Sequence, residues 1–128
     1  MKKKLFAALT AGMMLCGMLT APVSAAETYQ KGDVNMDGVV DIADAQLIQQ
    51  EYTDFLCSNK YSFTPEQLQL SSITGITTKG VHDGVEIPFS VADAQVIFRY
   101  ATDVISELSV PDTVDVYYAQ MKARWDVK

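Results

Sequence analysis

The chain has 128 residues, with 10 Lys and Arg against 16 Asp and Glu, for a formal net charge of −6. Hydrophobic residues make up 48 % and charged residues 20 %, which marks a globular chain with room for one small domain. This length excludes a doubly wound dinucleotide fold or a barrel enzyme. A pI near 4.5 argues against nucleic acid as a partner, because phosphate neutralisation needs clustered Lys and Arg.

The N-terminus reads as a targeting segment. Lys2, Lys3 and Lys4 form a positive region, residues 5–20 are apolar, and Val23-Ser24-Ala25-Ala26 offers small residues for cleavage. Residues 1–26 are therefore expected to be a secretory signal peptide, and the protein secreted or extracellular, with no membrane contact after cleavage. The apolar run is short for a bilayer span. Cleavage would remove three Lys and Cys16, leaving 7 basic and 16 acidic residues and Cys57 without an intramolecular partner. A domain this small, with no disulfide, needs a metal or a partner to reinforce its core.

The segment Asp33-Val34-Asn35-Met36-Asp37-Gly38-Val39-Val40-Asp41-Ile42-Ala43-Asp44 offers the ligands for a metal. Oxygen-bearing side chains fall at loop positions 1, 3, 5, 9 and 12, with Gly at position 6. Ca²⁺ takes six to eight oxygens, and alternating short acidic side chains in a tight loop provide them. Asp33, Asn35 and Asp37 would give side-chain oxygens and Val39 its carbonyl. Asp41 would bind directly or through water, and Asp44 would close the site from the first turn of a helix. Gly38 would take a left-handed turn, and Val40 would tie the loop to the core.

An internal repeat follows. Ile42-Ala43-Asp44-Ala45-Gln46-Leu47-Ile48 returns 49 positions later as Val91-Ala92-Asp93-Ala94-Gln95-Val96-Ile97. Such self-similarity implies two equivalent units, each covering an apolar stripe that the other cannot bury alone.

With Gly32 ahead of the loop, these two units resemble a dockerin, over about residues 29–102. Dockerins are small calcium-dependent modules that plug secreted polysaccharide-degrading components into cohesin modules of scaffold proteins. The resemblance implies an all-α fold of two antiparallel loop–helix (F-hand) units joined by a short helix, over residues 27–108. Residues 109–128 would form a C-terminal extension. It also implies cohesin contact by Ile42, Ala43, Gln49 and Gln50 of the first repeat, and by Val91, Ala92, Phe98, Arg99 and Tyr100 of the second. Because Gln49, Gln50 and Glu51 face Phe98, Arg99 and Tyr100, one of the two orientations open to a duplicated surface should dominate.

The second loop departs from the pattern. Counting back from Asp93 puts His82 at position 1, Gly84 at 3, Glu86 at 5 and Ile87 where Gly belongs. A second Ca²⁺ would need an irregular arrangement of Asp83, Glu86 and Asp93. Between the repeats, residues 63–70 read as a short helix capped by Thr64, with Pro65 at N1 and Gln67 completing a capping box. Residues 71–84 read as loop. Beyond Pro111, the spacing of Val114, Tyr117, Tyr118, Met121 and Trp125 suits one helix face.

One His, one Cys in the mature chain and no paired Glu leave no nucleophile–base or glycosidase pair, so the protein is not expected to be an enzyme. Two alternatives stand beside the dockerin reading. One is an exported Ca²⁺-binding protein with no cohesin. The other is a carbohydrate-binding protein using Tyr117, Tyr118 and Trp125.

Overall fold

The computed structural model describes residues 28–81 and 84–126, so the expected signal peptide, His82 and Asp83 lie outside the described residues. Its elements in chain order are α1 (Ile42–Ser58), α2 (Pro65–Ser71), β1 (Thr78–Lys79), β2 (Glu86–Ile87), α3 (Val91–Ile105) and α4 (Val114–Trp125). The described residues are mostly helical.

Two capping boxes of one design start the repeated helices. At α1 the Asp41 carboxylate accepts from the Ala43 N–H, while Asp44 accepts back from the Asp41 N–H. At α3, Ser90 and Asp93 take the same two roles. Thr64 and Gln67 cap α2 in the expected way, with Pro65 at its start. Asn59 ends α1 in the left-handed conformation.

Helix α1 turns Ala45, Ile48 and Phe55 inward, and α3 turns Ala94, Ile97 and Ala101 inward, so two pairs of equivalent repeat positions, Ala45 with Ala94 and Ile48 with Ile97, meet in one core. Helix α1 packs on α3, and α3 on α4. Val34, Val40, Phe63, Phe89, Val114 and Tyr117 are among the side chains that join them in the core. The Phe63 and Phe89 rings lie 5.4 Å apart, and the Tyr100 and Tyr117 rings meet edge-on at the same distance. The C-terminal segment therefore contributes two buried side chains, Val114 and Tyr117, to the core of the repeats.

The all-α expectation needs one correction. Residues 71–84, read as loop, hold strand β1, which pairs antiparallel with β2 in the register Thr78↔Ile87 and Lys79↔Glu86. The Gly80 N–H donates to the Val85 carbonyl at 2.7 Å, and the Thr78 hydroxyl donates to the Phe89 carbonyl at 2.8 Å. Ile87 and Phe89, both fully buried, anchor this small hairpin to the core.

Gly32 stands just before the first loop with φ +93°, where a Cβ would lie 2.9 Å from Val114 Cγ1 and 3.0 Å from Val40 Cγ1. The start of the loop, the valine that ties it down and the first turn of α4 meet at a point with no room for a methyl group. Gly32→Ala is expected to cost about 1–3 kcal/mol from backbone strain and overpacking. A thermal melt matching the unsubstituted protein would refute this packing.

Candidate functional site

The first loop coils around its own acidic side chains. Both oxygens of Asp33, which is fully buried, accept backbone N–H groups: Oδ1 from Asp37 at 3.1 Å and Oδ2 from Gly38 at 2.9 Å. Asn35 Oδ1 accepts from the Asp37 N–H at 3.0 Å, and Asp37 Oδ1 from the Val39 N–H at 2.9 Å. Gly38 takes φ +92° with open space where a Cβ would stand, and Met36 is also left-handed at φ +60°. Val40 is buried as expected, whereas the Val39 side chain is 57 % exposed.

Asp44 closes the loop from within α1. Its Oδ1 accepts the N–H groups of Val34 and Asn35 at 2.8 and 3.0 Å, and its Oδ2 accepts that of Asp41 at 2.9 Å. Burial pushes the Asp44 carboxyl above its ordinary range, with the nearby Asp33 charge adding to the rise. The three amide hydrogen bonds, from Asp41, Asn35 and Val34, oppose it.

Among the described residues, no three His, Cys, Asp or Glu side chains stand together as a metal cluster. The loop oxygens turn instead to their own amides. The donor chemistry still fits a hard cation, because an ionised carboxylate has about four lone-pair sites and each amide takes one. Asp33 and Asp37 keep free sites on both oxygens, and Asp44 keeps one on Oδ2. Asp33, Asn35, Asp37, Val39, Asp41 and Asp44 are thus the residues that could hold Ca²⁺.

The second loop begins elsewhere than counting predicted. Asp93 Oδ1 accepts the N–H groups of Ile73 and Thr74 at 2.8 and 2.7 Å, as Asp44 does those of Val34 and Asn35. The Thr74 hydroxyl accepts the Ile76 N–H at 3.2 Å, as Asn35 accepts that of Asp37. Gly75 at φ +72° matches Met36 at φ +60°. Position 1 is therefore Ser72 and not His82. Val34 maps to Ile73, 39 positions on, but Asp44 maps to Asp93, 49 positions on, so ten extra residues intervene. These residues belong to the stretch that forms the hairpin. Glu86 lies on it, exposed and accepting from the Thr77 hydroxyl, while Asp93 is fully buried against backbone; the two share no partner. Asp83 lies outside the described residues.

No protein-family model, no curated protein and no solved structure matches this chain.

On the outer side of the helix pair lies a groove of about 260 Å³. Ala45, Gln46 and Gln49 line it from α1, and Val91, Ala94, Gln95 and Phe98 from α3. Ala45 with Ala94, Gln46 with Gln95, and Gln49 with Phe98 are equivalent repeat positions, so the groove runs along the seam between the repeats. Phe98 is 53 % exposed there. Gln46 and Gln95 line this groove and were not among the expected contact residues. Their signal was identity, since the same Gln follows Ala-Asp-Ala in both repeats.

The other expected contact residues fall in three groups. Ala43 and Gln50 are exposed and Ile42 half-buried on α1; Ala92 is half-buried on α3. Arg99 is exposed but lines the grooves toward α4, where it tempers the Tyr117 phenol, which burial and Asp103 push up. Tyr100 must be withdrawn from the contact surface. It is buried, and its hydroxyl donates to the Pro111 and Asp112 carbonyls at 3.3 Å each, because the segment leading into α4 covers this side of α3. Its counterpart Glu51 is buried too, and accepts from the Ser62 and Phe63 N–H groups.

The aromatic stripe divides likewise. Tyr117 is buried, and its hydroxyl donates to Asp103, whereas Trp125 is 58 % exposed. Tyr118, Met121 and Trp125 line a second groove with Gln95, Arg99 and Ile76. Among the described residues no helix is long and apolar enough to cross a membrane.

Proposed function

We propose that this chain is a secreted, calcium-dependent adaptor of the dockerin type. It binds a cohesin module of a scaffold protein through the paired faces of α1 and α3, and so recruits material to a polysaccharide-degrading assembly. It performs no chemistry itself. The observation that carries the reading is the seam groove, where equivalent residues of both repeats meet on one open surface. A calcium buffer has no use for a half-exposed Phe98 and Val91 beside paired glutamines. The oxygen-rich first loop supports a structural cation at the N-terminus of α1.

The test is capture of the mature chain by a panel of immobilised cohesins, with calcium and with EDTA. Binding to at least one cohesin that EDTA abolishes is expected. No capture by any cohesin, or capture indifferent to EDTA, would reject the reading.

Carbohydrate binding is a second reading, favoured by the exposed indole of Trp125 beside Tyr118, Gln95 and Arg99. Tyr117 takes no part in it, because it is buried in the core. Affinity electrophoresis in a polysaccharide gel separates the two. Retardation that Trp125→Ala removes would favour the sugar.

A further inference from the structure

A second cation is what the resemblance implies for the second loop, and the residues there do not fit one. In the register set by the hydrogen bonds, the side chains equivalent to Asp33, Asn35, Asp37 and Asp41 are Ser72, Thr74, Ile76 and Ser90. Three are neutral hydroxyls and one is a hydrocarbon. Hard cations are held mainly by carboxylate and carbonyl oxygens, and ligand charge sets their affinity. At these equivalent positions, with Asp44 matched by Asp93, the four carboxylates of the first loop are reduced to one.

That one is already saturated. Asp93 Oδ1 accepts Ile73 N–H and Thr74 N–H, and Oδ2 accepts Ser90 N–H at 2.7 Å and the Ser90 hydroxyl at 3.1 Å. Four donors fill the four lone-pair sites of an ionised carboxylate. Asp44 receives only three donors and keeps one site open. The difference comes from one substitution, because Ser90 brings a hydroxyl donor where Asp41 brings another acceptor.

The chain between the two ends of the loop differs as well. Where the first loop turns at Gly38 and reaches Val40 two residues later, the second leaves through β1 and returns through β2 to Phe89, the counterpart of Val40. The hairpin is fastened to the core by buried Ile87 and Phe89 and by the Thr78 bond to the Phe89 carbonyl. Apolar burial and neutral hydrogen bonds thus replace the work of a cation in holding the loop ends together.

We propose that the second loop–helix unit is closed without a cation, with the hairpin insertion and four protein donors on Asp93 in its place. This rests on the reading of the first loop as a calcium site. The chain then carries one Ca²⁺, and calcium acts on the partner surface through α1 alone.

Isothermal titration of the chelator-stripped mature chain with CaCl₂ tests this, on the unsubstituted protein and on two variants. One calcium per chain is expected, lost in Asp37→Ala and kept with the same Kd in Ser72→Ala combined with Thr74→Ala. Neither variant removes a buried charge, and circular dichroism checks that both fold. A stoichiometry of two would overturn the proposal and leave the first site standing. A single site that survives Asp37→Ala but is lost in the Ser72 and Thr74 variant would overturn it too, since the cation would then sit in the second loop. No binding by any of the three proteins would instead reject the calcium reading beneath it.

Discussion

Removing calcium is expected to lower the melting temperature of this protein by about 15–30 °C. A ligand at a thousand times its Kd stabilises the folded state by about 4 kcal/mol, and 1 kcal/mol moves the midpoint of a domain of this size by about 4–8 °C. The physical cause is charge. Asp33, Asp37, Asp41 and Asp44 lie within twelve residues, and burial together with Asp33 already pushes the Asp44 carboxyl up. A divalent cation reverses that repulsion and joins the chain before α1 to its first turn.

Calorimetry in EDTA and in millimolar CaCl₂ reads the effect directly. Asp37→Ala sharpens it, because Asp37 is exposed and holds only the Val39 N–H and the Asn35 amide. That variant should melt close to the unsubstituted protein in EDTA and gain little from calcium. Identical curves for the unsubstituted protein under both conditions would remove calcium from its folding.

The first loop and the start of α1 were open to sequence reasoning because the hydrogen bonds that shape them are mostly local. Alternating oxygens, Gly38, the buried Val40 and the Asp41–Asp44 capping box all act within twelve residues. The same logic found α2 from Thr64, Pro65 and Gln67.

It failed where the constraint was distant. Counting twelve back from Asp93 assumes a loop of fixed length, and the hairpin breaks that assumption with strands of two residues, too short to show a period. The recoverable signal lay further back. Ser72-Ile73-Thr74-Gly75 repeats the polar–apolar–polar order of Asp33-Val34-Asn35, followed by a residue suited to the left-handed turn that Met36 makes. Tyr100 misled for a related reason. The resemblance places it with Arg99 on the contact surface, but the carbonyls of Pro111 and Asp112 cover it, and no local pattern records that the chain returns there.

Burial of Tyr100 and Glu51 changes the argument for one binding orientation without removing it. The contrast now rests on the seam groove, where Phe98 of α3 stands opposite Gln49 of α1. Turning the protein by half about the seam would present Gln49 to the pocket that had received Phe98. Fully burying a Phe side chain is worth about 1.5–3 kcal/mol, and Phe98 is 53 % exposed before any partner arrives. Roughly 1–2 kcal/mol of apolar burial thus remains to be gained, and a glutamine in the same pocket adds a desolvation cost. At 1.4 kcal/mol per factor of ten, this favours the Phe98 orientation by about 5- to 30-fold. Phe98→Ala should therefore weaken binding to a cohesin by about that factor, with helicity unchanged because the ring is half in solvent. Gln49→Ala, at the equivalent position of the other repeat, should change affinity by much less. Titrating both variants against one cohesin decides the matter, and equal losses from the two would mean that the repeat faces are interchangeable.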